Sequence, residues 1–451
     1  MLKTKVLTSV LAISMLAGIF AGCGKTATTP SPTTTSTAVT TETGTKQVEI
    51  TWWDYPNFQS GTAGDYEKTT VENFNKKYPN IKVNIEMIDF ASGPQKLNTA
   101  IASNSAPDLV FDYPGRIIDY ARSGVMAPLD DMITDSVKSD ISSKILDACK
   151  LGDKFYMYPI NIAPNMMAFN KTMLDKAGLT NMLPLNKTDR LWTVDEYEAL
   201  LKAIKEKIPT LAAPTAIYAK SSAGDQGTRA YISNMGGTPT IAADLSKYTI
   251  NDAKDVKALE WIVGSVKSGL TLKGGEALAS NDVIDMFLSE KIACVPLYNK
   301  TLMSTSAAKK TTPFEEVFIP YPTPTAADKS AFEAFIGGIG VFDNKDAAKV
   351  DAAKKLVDFI ANDSATFKET LKQTGSFSVR TSITGLYDDA ESKYCESMIK
   401  YLGTYYNQVP GFAEMRTYFF PMMQNVLLGT QTPKAGLDEF VEKANATLVK
   451  K

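Results

Sequence analysis

Histidine is absent from all 451 residues. Its absence removes every catalytic triad and metal site built on imidazole, and any imidazole switch near neutral pH. Cysteine is scarce, with only Cys23, Cys149, Cys294 and Cys395. Apart from Cys23 an odd number remains, so no full disulfide set can form, and no pair has metal-site spacing. An excess of one charge is also missing: the formal net charge is −2, or −4 once Lys3 and Lys5 of the leader are removed. A phosphate backbone demands clustered Lys and Arg, so nucleic acid is excluded as a partner. No tandem repeat appears, and no metal or cofactor is assigned. Catalysis by a pair of carboxylates stays formally open.

What is present begins with a leader. Lys3 and Lys5 precede Val6 to Gly22, which is almost wholly apolar or small, and then Cys23 arrives. A basic start, an apolar middle and small residues before a cut make a secretory signal, here residues 1–22. The run is short for a membrane span, which needs about 20 residues. Phe20-Ala21-Gly22-Cys23 resembles a bacterial lipobox, with Phe20 where an aliphatic residue is usual. That resemblance makes Cys23 the lipidation site. Residues 24–46 are about half threonine, with Pro30, Pro32 and no apolar period. Such a tract cannot bury enough surface to offset its chain entropy, so residues 23–46 read as a lipidated cysteine and a disordered tether. The expectation is a protein anchored on the extracytoplasmic face of the cell membrane.

The working part, about 400 residues, is too long for one core and predicts two lobes. In "QVEITWW", Val48, Ile50 and Trp52 alternate with polar residues, a strand signal. A helix over 65–77 follows, then the alternating "IKVNIEMI", a helix over 94–103 and the apolar run Leu109-Val110-Phe111. Strand, helix, strand, helix, strand argues for an α/β layer with a mostly parallel sheet. "KFYMYPI" at 154–160 is the next strand candidate. "TVDEYEALLKAIKE" opens with Thr193 and Glu196 at capping-box spacing. "NDAKDVKALEWIVGSVKSG" places Val256, Leu259, Val263 and Val266 on one face, with Gly269 as a stop. The end of the chain, from Phe412 to Leu448, reads as helix broken at Pro421 and Gly429.

In this order the residues resemble the extracellular solute-binding lipoproteins of bacterial ABC sugar importers, family 1, the carbohydrate-binding group that includes maltose-binding protein. The resemblance covers nearly the whole chain beyond the tether. It rests on "EITWWDY", "FNKKYPNIKVNIE", "SAPDLVF", "YARSGVMAPLDD", "GDKFYMYPINIAPNMMAFNKTMLDKAGL", "SEKIAC", "IPYPTP", "GGIGVF", "GSFSVR" and "VLLGTQTPKAGL". It implies the α/β two-lobe fold of periplasmic binding proteins, with interleaved lobes joined by a multi-strand hinge. The N-terminal lobe would hold 47–160 plus 335–383, and the C-terminal lobe 165–333 plus 385–451. It further implies a monomer that is no enzyme, captures an oligosaccharide between the lobes by closure, and delivers it to ABC permease transmembrane subunits. The family often has Gly-x-Trp after the "KIAC" strand; here the nearest aromatic is Tyr298, and Phe412 stands where a later tryptophan is common.

Ligands of open α/β sheets sit beyond the carboxyl ends of strands. Two such ends, "WWDYPNF" and "FDYPG", each combine an aromatic, an Asp and a Pro. Rings can stack on the C–H face of a sugar, and carboxylates or amides can bond its hydroxyl rim. Trp53, Asp54, Tyr55, Asp112 and Tyr113 are therefore candidates, Trp53 because alternation turns Trp52 into the core. Asn161 and Asn165 lie on the expected crossing segment, and Gly236 and Gly338 could let backbone approach a ligand. Tyr298 and Asn299 are the second lobe's polar–aromatic pair; Arg380 and Phe412 complete the set. The rival readings are the same fold holding a peptide, polyamine or organic anion, a sugar-sensing receptor partner, and, remotely, a glycoside hydrolase using Asp54 and Asp112.

Overall fold

Apolar alternation in Val48–Asp54 predicts one buried face, yet the carboxyl end of the strand is buried on both: Trp52 is 0 % and Trp53 8 % exposed. Sheets whose parallel strands are linked by helices are covered on both faces, which is why Trp53 is not exposed. This computed structural model describes residues 47–58, 62–89, 92–222 and 224–449. The leader, Cys23 and the tether lie outside the described residues.

The strands that position the site are β1 (Val48–Asp54), β2 (Ile81–Met87), β3 (Leu109–Asp112), β4 (Tyr158–Pro164), β5 (Met166–Asn170), β6 (Cys294–Tyr298), β7 (Glu316–Ile319), β8 (Ala334–Val341) and β9 (Phe377–Ser378). A six-stranded sheet runs β9-β4-β8-β3-β1-β2, and a three-stranded sheet runs β6-β5-β7. Parallel pairing holds for β1 with β2 and β3. Beyond β3 it ends, because β8 returns from far along the chain and pairs antiparallel with β3 and β4. The second sheet is antiparallel throughout. The sheet is therefore mixed where the sequence suggested mostly parallel.

The helices used below are α1 (Asp65–Lys77), α2 (Gly93–Ala102), α3 (Pro114–Arg122), α4 (Val194–Lys207), α5 (Asp225–Gly236), α6 (Ala253–Lys267), α7 (Lys300–Ser306), α8 (Ala347–Asn362), α9 (Ser364–Gln373), α10 (Phe412–Leu428) and α11 (Pro433–Leu448). In the larger layer α1 packs on β2, α3 on β8, and α8 on β1 and β8. In the other, α5 packs on β6 and α6, and α11 on α6 and α10. The capping box of α4 forms as its spacing predicts, with Thr193 Oγ1 accepting from Glu196 N–H at 3.2 Å and the Glu196 carboxylate accepting from Thr193 N–H at 2.7 Å. Pro421 does not break the last helical region: α10 runs through it. Gly429, in the left-handed region at φ 76°, is what ends α10.

One residue, Asn165, separates β4 of the first sheet from β5 of the second. Its N–H donates to Glu333 O at 2.9 Å, so the crossing into the second sheet is bonded to the crossing back. Its carbonyl Oδ1 accepts from Asn299 Nδ2 at 2.8 Å, and Asn299 Oδ1 caps α7 by accepting from Leu302 N–H at 2.8 Å. Cys149, Cys294 and Cys395 are buried and unpaired, and burial first of all pushes each thiol up.

Candidate functional site

The carboxyl ends of β1 and β3 lie side by side because the two strands pair directly, with Asp54 opposite Phe111. After β1 the chain turns through Tyr55 to Phe58, whose ring stacks on Tyr66 at 3.9 Å and tilts on Phe111 at 5.4 Å. After β3, Tyr113 caps α3 and Pro114 begins it, a position that needs no N–H. From the other side come Asn161 and Ala163 of β4, and Phe335 and Gly337 of β8. These residues enclose a small cavity of about 30 Å³ with Thr374, beyond the end of α9, and Thr301 of α7. Thr301 belongs to the helix that follows β6 of the second sheet. Its hydroxyl donates to Thr374 O at 3.0 Å, closing the cavity across the two layers.

Its lining is Asn57, Phe111, Tyr113, Asn161, Ala163, Thr301, Phe335, Gly337 and Thr374, three aromatic rings and four amide or hydroxyl side chains with no charge among them. Phe335 and Tyr113 are in ring contact at 5.7 Å. Charges stand behind this wall and are matched there. Asp112, with a fully buried side chain, takes Arg116 Nε at 2.7 Å and a second guanidinium nitrogen, a fork geometry. Against the pull of burial, Asp112 raises the Arg116 guanidinium further still. The same guanidinium lies 5.1 Å from the Tyr55 ring and 5.7 Å from Tyr113. Burial, with Arg116 opposing, pushes the Tyr113 phenol up to about 12. Asp54 is fully buried, and burial followed by the nearby Glu67 charge pushes it well above the carboxylate range. Burial pushes Glu67 up to about 7.

Of the residues chosen from sequence, Tyr113 and Asn161 line the cavity, and Asp54, Tyr55 and Asp112 stand directly behind it. Trp53 lies under the Lys96 ammonium, 4.9 Å from its ring. Asn165 and Asn299 bond each other at the crossing described above. The Tyr298 hydroxyl is buried, donating to Glu316 at 3.0 Å and meeting Ser306 at 2.9 Å. Gly236 ends α5 where a Cβ would meet the Asp255 backbone at 3.0 Å, and a Cβ on Gly338 would strike the Met157 side chain at 2.5 Å. Arg380 donates to Tyr158 Oη at 2.8 Å and to Asn362 Oδ1, and lines a separate outer groove with Asp140 and Lys354. Phe412 sits edge-on to Tyr406 at 5.8 Å, beside Arg229 and Arg416. Sequence reasoning missed Asn57, Phe111, Ala163, Thr301, Phe335 and Thr374 as lining residues. The doubled glycine at 337–338 was the signal available for β8, but nothing local reveals that β8 pairs with β3.

Two α/β layers, a one-residue crossing and an uncharged polar–aromatic cavity at the strand ends define a two-lobe binding protein. The family model for bacterial extracellular solute-binding proteins matches residues 56–366, and the chain belongs to that family. An ABC substrate-binding protein from Listeria monocytogenes, in complex with cycloalternan, superposes with TM-score 0.71 at 23 % identity over 90 % of this chain and 100 % of that one. A cyclic α-maltosyl-1,6-maltose binding protein from Arthrobacter globiformis gives 0.69 at 22 % identity over 89 % and 99 %. These likenesses establish a shared fold. In sequence, a binding protein of Brucella abortus (strain 2308) is 27 % identical over 245 residues, 52 % of this chain and 54 % of that protein. An ABC transporter extracellular-binding protein of Pyrococcus horikoshii is 24 % identical over 212 residues, 46 % and 43 %. The matched stretch thus spans about half the length of these curated relatives.

Proposed function

We propose that this chain is the solute-capturing subunit of an ABC importer and that its solute is an uncharged oligosaccharide. The observation that carries the reading is the lining of the cavity: three rings, four amide or hydroxyl side chains and no charge. An organic anion would call for unpaired cations there, and a polyamine for unpaired carboxylates. Behind the lining, Arg116 and Asp112 neutralise each other, and burial pushes Asp54 well above the carboxylate range. The same pairing weighs against hydrolysis, since Asp112 is committed to Arg116 and Asp54 is fully buried. We assign 47–160 plus 335–383 to one lobe and 165–333 plus 385–451 to the other, in keeping with the membership of the two sheets. A sugar touching both lobes shifts them toward closure only by its differential affinity for the closed form. Going from 99 % open to 99 % closed requires about 5.5 kcal/mol of that difference, within reach of stacked rings and several hydrogen bonds. The closed form then docks on permease transmembrane subunits, with Cys23 acylated to hold the protein at the membrane.

Calorimetry of the full chain against gluco-, xylo-, manno- and malto-oligosaccharides tests this. Heat from one series, with none from amino acids, peptides or polyamines, is the expected result. The reverse pattern overturns it. Fatty-acid labelling that persists in Cys23→Ala would separately remove the anchor.

A further inference from the structure

Two lining groups of the cavity are unlike the rest. Asn161 is 9 % exposed, and its carbonyl Oδ1 has no hydrogen-bond partner among the described residues. The other end of the same amide is committed: Nδ2 donates to Ser376 Oγ at 2.7 Å, and Ser376 Oγ in turn meets Thr374 Oγ1 at 2.5 Å. Thr374 Oγ1 donates onward to Thr370 O at 3.0 Å, so it accepts from Ser376, Ser376 accepts from the amide nitrogen, and Oδ1 is the end left over. Across the cavity, Asn57 Oδ1 accepts from the Tyr113 hydroxyl at 3.3 Å, which leaves Asn57 Nδ2, also buried and without a partner among the described residues. The two side chains that carry this orphan acceptor and this orphan donor line a single space of about 30 Å³. A cavity needs roughly 10–15 Å³ to hold one water-sized oxygen. An unmade buried hydrogen bond costs about 1–3 kcal/mol, so a fold keeps such a pair only where something completes it.

We infer that Asn57 and Asn161 together read one hydroxyl of the sugar, Asn57 Nδ2 donating to its oxygen and Asn161 Oδ1 accepting its proton. This rests on the proposed function and deepens it. A hydroxyl is the small neutral group that donates and accepts from one atom; an ammonium only donates and a carboxylate only accepts. Gly337 belongs to the device. It is the register partner of Asn161 across β4 and β8, and a Cβ there would strike Asn161 Oδ1 and come within 2.8 Å of the Phe111 ring. Glycine at 337 therefore leaves the amide room to face the cavity, and alanine would push it aside. The Phe111, Tyr113 and Phe335 rings bound the remaining walls, so an added charge on the ligand at this point would be stranded.

The test is a binding cycle on the full chain with maltotriose, cellotriose, xylotriose and mannotriose, followed by monodeoxy analogues of whichever trisaccharide binds. Asn57→Ala and Asn161→Ala should each weaken the parent sugar by roughly threefold to tenfold, the range of one neutral hydrogen bond. For one deoxy analogue, and only one, the wild-type protein should lose a similar factor while neither variant loses more. Gly337→Ala should copy Asn161→Ala. If the variants weaken the parent and every deoxy analogue by equal factors, the pair reads no hydroxyl and the inference falls while the sugar reading stands. If no trisaccharide binds the wild-type chain and a peptide or polyamine does, both fall. Should Asn161→Ala fail to fold by thermal melt, Asn57→Ala decides alone, since that side chain is half-buried and makes one long hydrogen bond.

Discussion

Replacing Glu67 by Gln should make the protein more stable at neutral pH and flatten its stability against pH. Glu67 is 1 % exposed, stands beside the buried Asp54, and ionises only near about 7 in the fold against 4.5 when free. Below 4.5 the folded and unfolded chains both keep this proton. Between 4.5 and about 7 the unfolded chain gives it up and the folded chain does not, so stability falls as pH rises through that window and stays low above it. Each pKa unit corresponds to 1.36 kcal/mol, so the difference between about 7 and 4.5 amounts to about 3 kcal/mol at most. Taking ~2.1 cal/mol/K of unfolding entropy per residue over roughly 400 residues, that is about 3–4 °C in Tm. Glutamine keeps the shape and cannot ionise. Melts of wild type and Glu67→Gln in one buffer series from pH 4.5 to 8 should start close together and separate by that amount, the variant melting higher at pH 8. Asp54 loses the Glu67 charge in the variant and is raised less, which works in the same direction; titrating groups farther off act on both curves alike. Parallel curves would show that Glu67 is ionised in the fold at neutral pH, and the account of the Asp54–Glu67 pair would be wrong.

Asp255, fully buried beneath Gly236 and pushed up to about 8 by burial and then by Asp252, follows the same logic one step higher. Asp255→Asn should remove part of the stability loss between pH 3.8 and about 8; an unchanged Tm profile would refute this. Arg116→Met strands the buried Asp112 carboxylate and should lower stability by roughly 2–3 kcal/mol, less than a fully buried pair because Arg116 still reaches solvent. A urea midpoint within error of wild type would show that the fork contributes nothing. Gly411 sits at φ 67°, where a Cβ would come within 2.5 Å of the Thr447 side chain. Gly411→Ala should therefore cost more than the ~1 kcal/mol of a simple left-handed glycine, read from the same midpoint.

Local rules were legible and long-range ones were not. The helix over 65–77, the capping box of α4 and the glycine stop of α10 follow from residues within a few positions of each other, and all three form. In α6 the period was right but the face was turned: Ile262 and Ser265 are buried, while Val263 and Val266 are half-buried. The partners of α6 are α5 and α11, and no local pattern says where those lie. Trp53 failed as an exposed residue for the same reason, since Lys96 of α2, some forty residues on, lies over its ring. Of the cavity, Tyr113 and Asn161 could be picked out because turn and crossing residues of that chemistry stand out in sequence. Phe335, Thr301 and Thr374 could not, because they reach the site through pairings and contacts that span up to some two hundred residues.

The three buried thiols supply a set of internal clocks. Cys149, Cys294 and Cys395 sit in separate stretches of the fold, none is bonded to another, and each is held protonated by its surroundings. An alkylating reagent can reach a given sulfur only when its own neighbourhood opens. The labelling rate at each position then reports how often that part of the molecule breathes, with no engineered probe and no competing disulfide exchange between them. Saturating solute should slow all three rates equally if opening is global, and unequally if the two layers come apart before either one melts.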